Sequence, residues 1–171
     1  MESLLSKPLP KRYWIHGETG TGKTLFTKVL AERLKTKIYK KTPSGYWINY
    51  KGEKLVVVED LGREEWEYVK VWLKKWLDYS EFSSAALRDK NTHEEIKAGE
   101  VIDPSEYTLV ITSYKPLEEL LNQEKLAEKG LSERDISKIE RLLEVHEMTH
   151  TKIEDIREDI LEILKDVTQV K

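Results

Sequence analysis

Apolar positions along this chain switch between two periods. Arg12-Tyr13-Trp14-Ile15-His16 reads as a strand, and a glycine-rich turn, Gly17–Gly22, follows it. From Thr24 to about Lys35, Phe26, Val29, Leu30 and Leu34 recur on one face of a predicted helix. Trp47-Ile48 reads as a short strand. Lys54–Glu59 is nearly all apolar, which suits a parallel strand covered on both faces. Glu64–Tyr79 carries Trp66, Val69, Leu73 and Trp76 at helical spacing, a stripe that belongs in a core.

The stretch 80–106 is polar and rich in turns, with Gly99 and Pro104. Tyr107–Thr112 is a second buried strand. Short helices are expected between Pro116 and Lys138, and a last strand over Leu142–Met148. Ile153, Ile156, Ile160, Ile163 and Val167 then stripe a C-terminal amphipathic helix, expected to dock on the domain's own core. Strands alternating with helices predict a three-layer α/β fold with a mostly parallel central sheet. The expected division is a lead-in over 1–11, one domain over 12–148, and a helical tail over 149–171.

Composition narrows the classes. The 171 residues hold 29 Lys and Arg against 32 Asp and Glu, so net charge is −3 and a uniformly basic or acidic binder is excluded. A local basic patch remains compatible with nucleic acid. Five Trp and eight Tyr are ample for a core. The absence of cysteine removes disulfides, thiolate zinc sites and a Cys nucleophile, and makes an intracellular setting the expectation. The longest apolar runs are too short to span a bilayer.

The chemistry starts at Gly17-Glu18-Thr19-Gly20-Thr21-Gly22-Lys23-Thr24, which fits G-x-x-x-x-G-K-[ST] at every position. Its glycines let backbone N–H groups turn inward around phosphate oxygens, and the following helix adds its positive end. Lys23 would reach the β- and γ-phosphates of ATP, and the Thr24 hydroxyl would bind Mg²⁺. Glu59-Asp60 then ends a buried strand. One carboxylate would hold Mg²⁺ and the other would polarise the attacking water, with the two roles open between them.

These residues resemble the superfamily 3 helicase domain, an AAA+-like P-loop NTPase. The nearest likeness is to replication initiator (Rep) proteins of small circular single-stranded DNA viruses and plasmids. Tyr13-Trp14-Ile15-His16 leading into the phosphate loop is similar to that family's motif A. Ser44-Gly45-Tyr46-Trp47-Ile48 resembles its "GYWW" segment, and Val56–Asp60 its motif B. His93–Val101 resembles motif B′, and Leu109–Ser113 with Pro116-Leu117 resembles motif C.

The resemblance implies a motor that assembles as a ring, commonly a hexamer, and translocates on single-stranded DNA. It implies a hairpin gripping the phosphate backbone, with Lys97 carried over to that role and Arg88 and Lys90 as weaker candidates. It also implies an arginine acting across a subunit boundary, Arg141 first and Arg134 second. Three departures stand out. Tyr114 occupies the position where motif C ends in Asn, so Ser113 or Tyr114 takes over beside the γ-phosphate, or hydrolysis is slow. Ala98 replaces a glycine. The His-hydrophobe-His pair and Tyr-x-x-Lys of a nicking domain are not found, so a lone motor domain is expected.

His146-Glu147-Met148-Thr149-His150 matches H-E-x-x-H, but zinc chemistry needs those residues on a helix. The preceding residues read as a strand, on which two such rings lie roughly 13 Å apart. The reading is therefore an ATP-dependent helicase motor in replication of a small genome, in the cytoplasm or a host nucleus. The rivals are a loader ATPase that remodels protein, an assembly module switched by ATP, and an RNA helicase.

Overall fold

The computed structural model describes residues 8–167. Its centre is a five-stranded sheet of β1 (Arg12–His16), β2 (Ile38–Lys40), β3 (Leu55–Val58), β8 (Thr108–Ser113) and β9 (Glu144–Glu147). The order is β2-β3-β8-β1-β9, and every neighbouring pair is parallel. The helices are α1 (Lys23–Leu34), α2 (Arg63–Leu77), α3 (Leu117–Leu126), α4 (Glu133–Leu142) and α5 (Ile153–Ile163).

Strand alternation makes two cores from one sheet. Trp14, Val56, Val58, Leu109 and Ile111 point to one side, where α2, α3 and α4 supply Trp66, Leu73, Leu120 and Ile139. Tyr13, Ile15, Leu55, Val57 and Val110 point to the other, where α1 and α5 supply Phe26, Leu30, Ile156 and Ile160. Covering both faces explains why β3 reads as Leu-Val-Val-Val without polar positions. The expected three layers are therefore present.

Four local expectations change. Trp47-Ile48 is a turn instead of a strand, and the unpredicted β2 is the edge strand. Trp47 is drawn inward by stacking on Tyr39 at 5.7 Å and by edge contacts with Tyr50, Trp76 and Phe82. The stretch 80–106 holds two small antiparallel ribbons, β4 (Phe82–Ser83) with β7 (Val101–Ile102), and β5 (Leu87–Arg88) with β6 (Glu95–Lys97). The C-terminal helix ends at Ile163, and its stripe packs on α1 except for Ile153, which is exposed. Residues 1–7 of the lead-in and 168–171 of the tail lie outside the described residues. No helix among the described residues is long and apolar enough to cross a membrane.

A buried cation locks the sheet to α2. Arg12 is 1% exposed, and its guanidinium donates to the carbonyls of Leu77 (3.2 Å), Tyr107 (2.5 Å) and Pro104 (2.6 Å). It also stacks over the Tyr79 and Tyr107 rings. Burial lowers its pKa from the ordinary arginine value, against the pull of Tyr107. Arg12→Ala leaves three carbonyls without their donor and should cost about 3 kcal/mol of stability in urea titration. A loss under about 0.5 kcal/mol would show that the clamp is dispensable.

Candidate active site

The candidate chemistry gathers where the parallel strands end, the edge at which open α/β sheets bind ligands. The phosphate loop follows β1, Glu59-Asp60 follows β3, and Tyr114 follows β8. Hydrogen bonds at the end of β8 bind these loops together. Gly17 N–H donates to the Ser113 carbonyl at 3.1 Å, and Leu61 N–H to the Thr112 carbonyl at 2.8 Å. Asp60 N–H donates to Thr112 Oγ1 at 3.0 Å. The phosphate loop and acidic pair thus hang from two consecutive residues.

Gly22 caps α1 in the left-handed region at φ 92°, with no side chain accepting from the first turn. Those first-turn N–H groups have no intrahelical acceptor and are free for an anion. A Cβ on Gly22 would collide with Ile156 of α5, and one on Gly17 with the Met148 carbonyl. Close packing and a positive φ thus both require glycine at position 22. Glu18, Thr19 and Gly20 form the exposed tip, while Thr21 is buried and donates its hydroxyl to the Glu18 carbonyl at 2.7 Å. Lys23 Nζ folds over this tip, donating to the carbonyls of Gly17 (2.5 Å) and Glu18 (2.9 Å). Thr24, on the first turn of α1, is exposed.

Glu59 and Asp60 are both exposed, and Asp60 takes φ 53°. Lys40 lies 3.9 Å from Glu59. Two open carboxylates suit Mg²⁺, which takes few protein ligands and keeps substrate oxygens and water. His16 is buried beside the loop. Burial lowers its pKa from 6.5, Lys23 adds to that, and Glu147 opposes it, so the ring is neutral at pH 7.

Ser113 and Tyr114 divide their duties. Ser113 is fully buried, its hydroxyl donating to the Leu61 carbonyl at 2.5 Å and accepting from Lys115 N–H at 3.0 Å. Tyr114 is exposed and lies beside Gly62, just past the acidic pair. The tie through Thr112 was not visible in the sequence, where this threonine merely ends an apolar run.

Lys97 sits on the β5–β6 ribbon, exposed, with Nζ 3.1 Å from Glu100. Residues 87–100 hold three cations (Arg88, Lys90, Lys97) against four carboxylates, so this hairpin is not itself a basic patch. Its base is fixed: Ser84 N–H donates to Glu100, Ala85 N–H to Gly45, and a Cβ on Gly99 would strike the Ser84 carbonyl. Arg141 is exposed in the last turn of α4, which leads into the start of β9. β9 runs parallel to β1, so Arg141 lies at the end of the sheet opposite its own phosphate loop. Arg134, at the other end of α4, is also exposed. Of the H-E-x-x-H histidines, His146 is on a strand and bonds Glu144, while His150 lies beyond it and bonds Asp159.

The segment leading to the hairpin rests on Lys41, which is 4% exposed. Its ammonium donates to the Thr42 and Ser44 carbonyls and lies over the Trp47 and Trp76 rings. Burial pushes its pKa down to about 7 from 10.5. The unfolded chain therefore holds this proton over a range in which the folded chain has released it. Stability should rise as pH climbs from about 7 toward 10.5, and Lys41→Met should flatten that rise in unfolding curves taken across this range. A parallel pH dependence in both proteins would contradict this.

A family model described as RNA helicase matches residues 13–95. The matched stretch runs from β1 through the phosphate loop and acidic pair into β6. No curated protein matches the chain. The match supports a helicase-type, nucleotide-using motor that acts on nucleic acid. Over residues 13–95 this chain thus matches the RNA helicase family, the superfamily 3 helicase domain family found in viral Rep proteins.

Proposed function

We propose that the chain hydrolyses ATP to move along single-stranded nucleic acid, DNA or RNA, as a ring of identical copies in replication of a small genome. The observation that carries this reading is the joint suspension of phosphate loop and acidic pair from Thr112 and Ser113. Positioning and charge placement are most of what phosphoryl transfer asks of a protein.

In this reading the first-turn N–H groups of α1 and Lys23 bind the β- and γ-phosphates. Thr24 and one of Glu59 and Asp60 would hold Mg²⁺, which neutralises phosphate charge when bound. The other carboxylate takes a proton from water as its oxygen bonds the γ-phosphorus. The bond from that phosphorus to the β–γ bridging oxygen breaks, and ADP leaves. Tyr114, exposed where motif C has Asn, faces this water, while Ser113 braces the loops. Arg141 is remote from its own loop, so its contact would be with a neighbouring copy's nucleotide. Lys97 would touch the nucleic-acid backbone.

Tyr114 favours a second reading, an ATP-switched assembly module. A phenol cannot place water as a carboxamide does, and slow turnover would make bound ATP the signal. A loader ATPase remodelling protein would instead turn over indifferently to nucleic acid.

Steady-state ATP turnover, with and without single-stranded DNA or RNA, separates these. Stimulation by either strand is the expected result. Lys23→Ala should reduce turnover at least 100-fold with unchanged circular dichroism, because the lysine is outside the core. Tyr114→Asn should raise turnover several-fold. Turnover unaffected by Lys23→Ala would remove the site from consideration.

A further inference from the structure

A cleft of about 610 Å³ runs between α2 and α4, at the end of the sheet opposite the phosphate loop. Two of its lysines are neutralised within it, Lys74 by Asp135 at 3.2 Å and Lys138 by Asp78 at 2.8 Å. Lys75, Arg134 and Arg141 also line it, and none has a carboxylate partner among the described residues. Five cations against two carboxylates leave a local charge of +3 on a chain whose total is −3. The outer face of α2 above it exposes Tyr68 and Val71, at 69% and 63%. Exposed tyrosine and arginine are residue types enriched at protein interfaces.

The complementary surface lies on the same chain, at the other end. α5 begins against the phosphate loop, with Ile156 touching Gly22. Its first two turns carry Glu154, Asp155 and Glu158, which have no cationic partner among the described residues. Ile153 and Leu161, exposed at 48% and 55%, flank them. With Arg157 the one cation of those two turns, these carboxylates leave the start of α5 acidic, opposite in sign to the cleft. The two patches cannot meet within one molecule. Patches at opposite ends join copies head to tail, the arrangement that closes into a ring when the rotation between copies allows it.

Resting on the ring-motor reading, we propose that the α2–α4 cleft of one copy docks the acidic start of α5 of the next. This docking brings the Arg141 end of α4 toward the neighbour's phosphate loop. It also lets the cleft offset carboxylates that would otherwise repel a triphosphate bound beside them.

Charge exchange tests it. Lys75→Glu with Arg134→Glu makes one variant, and Glu154→Lys with Glu158→Lys makes the other, both at exposed positions. In sedimentation velocity, each variant alone should associate at least tenfold more weakly than the parent. An equimolar mixture should recover association to within about threefold, and 0.5 M salt should weaken the parent. A parent that stays monomeric with ATP and oligonucleotide overturns the ring reading and this interface together. A parent that assembles while both variants assemble equally overturns the interface alone. Variants that assemble normally but bind oligonucleotide more weakly would assign the cleft to nucleic acid instead.

Discussion

The end of β8 holds the functional edge of this molecule in register. Thr112 and Ser113 offer two carbonyls and two hydroxyls, and the loops after β1 and β3 take all four. β8 is flanked by β1 and β3 on its two sides, so its own position is fixed by parallel ladders. A shift in β8 would therefore move the phosphate loop and acidic pair together. Such coupling suits a site in which an anion and its metal must be met from different loops within a fraction of an ångström.

The helical side chains complete that geometry from behind. Ile156 of α5 closes on Gly22, and the Met148 carbonyl closes on Gly17. The C-terminal helix is thus part of the wall behind the phosphate loop, as well as a cover for the second core. On the opposite face, Arg12 fixes the start of β1 to the Leu77 carbonyl at the end of α2 and to the Pro104 and Tyr107 carbonyls just before β8. The strand that delivers the loop is held at both ends.

Much of this was legible in the residues. Leu55–Val58 and Leu109–Ile111 could only be doubly covered strands, and G-x-x-x-x-G-K-T between strand and helix left little room for another reading. The docking of Ile156 and Ile160 followed from their spacing. Illegible parts depend on tertiary contacts. Trp47 was expected in a strand, but five aromatic neighbours pull it into a turn. β2 is only three residues long, too short for any period to appear. Ser113 and Tyr114 were equal candidates until burial separated them. Nothing in the sequence around Lys41 announces a cation held over the rings of Trp47 and Trp76.

The folded-back Lys23 has a consequence for selectivity. Its ammonium already donates to two carbonyls of its own loop, so an arriving anion competes with an internal occupant. A ligand with a single phosphate must replace those bonds with few of its own and gains little. A chain of phosphates can engage the lysine and the α1 N–H groups at once, and gains from both. In the proposed reading the loop would therefore favour ligands that engage the lysine and the α1 N–H groups together over those that reach only one of them.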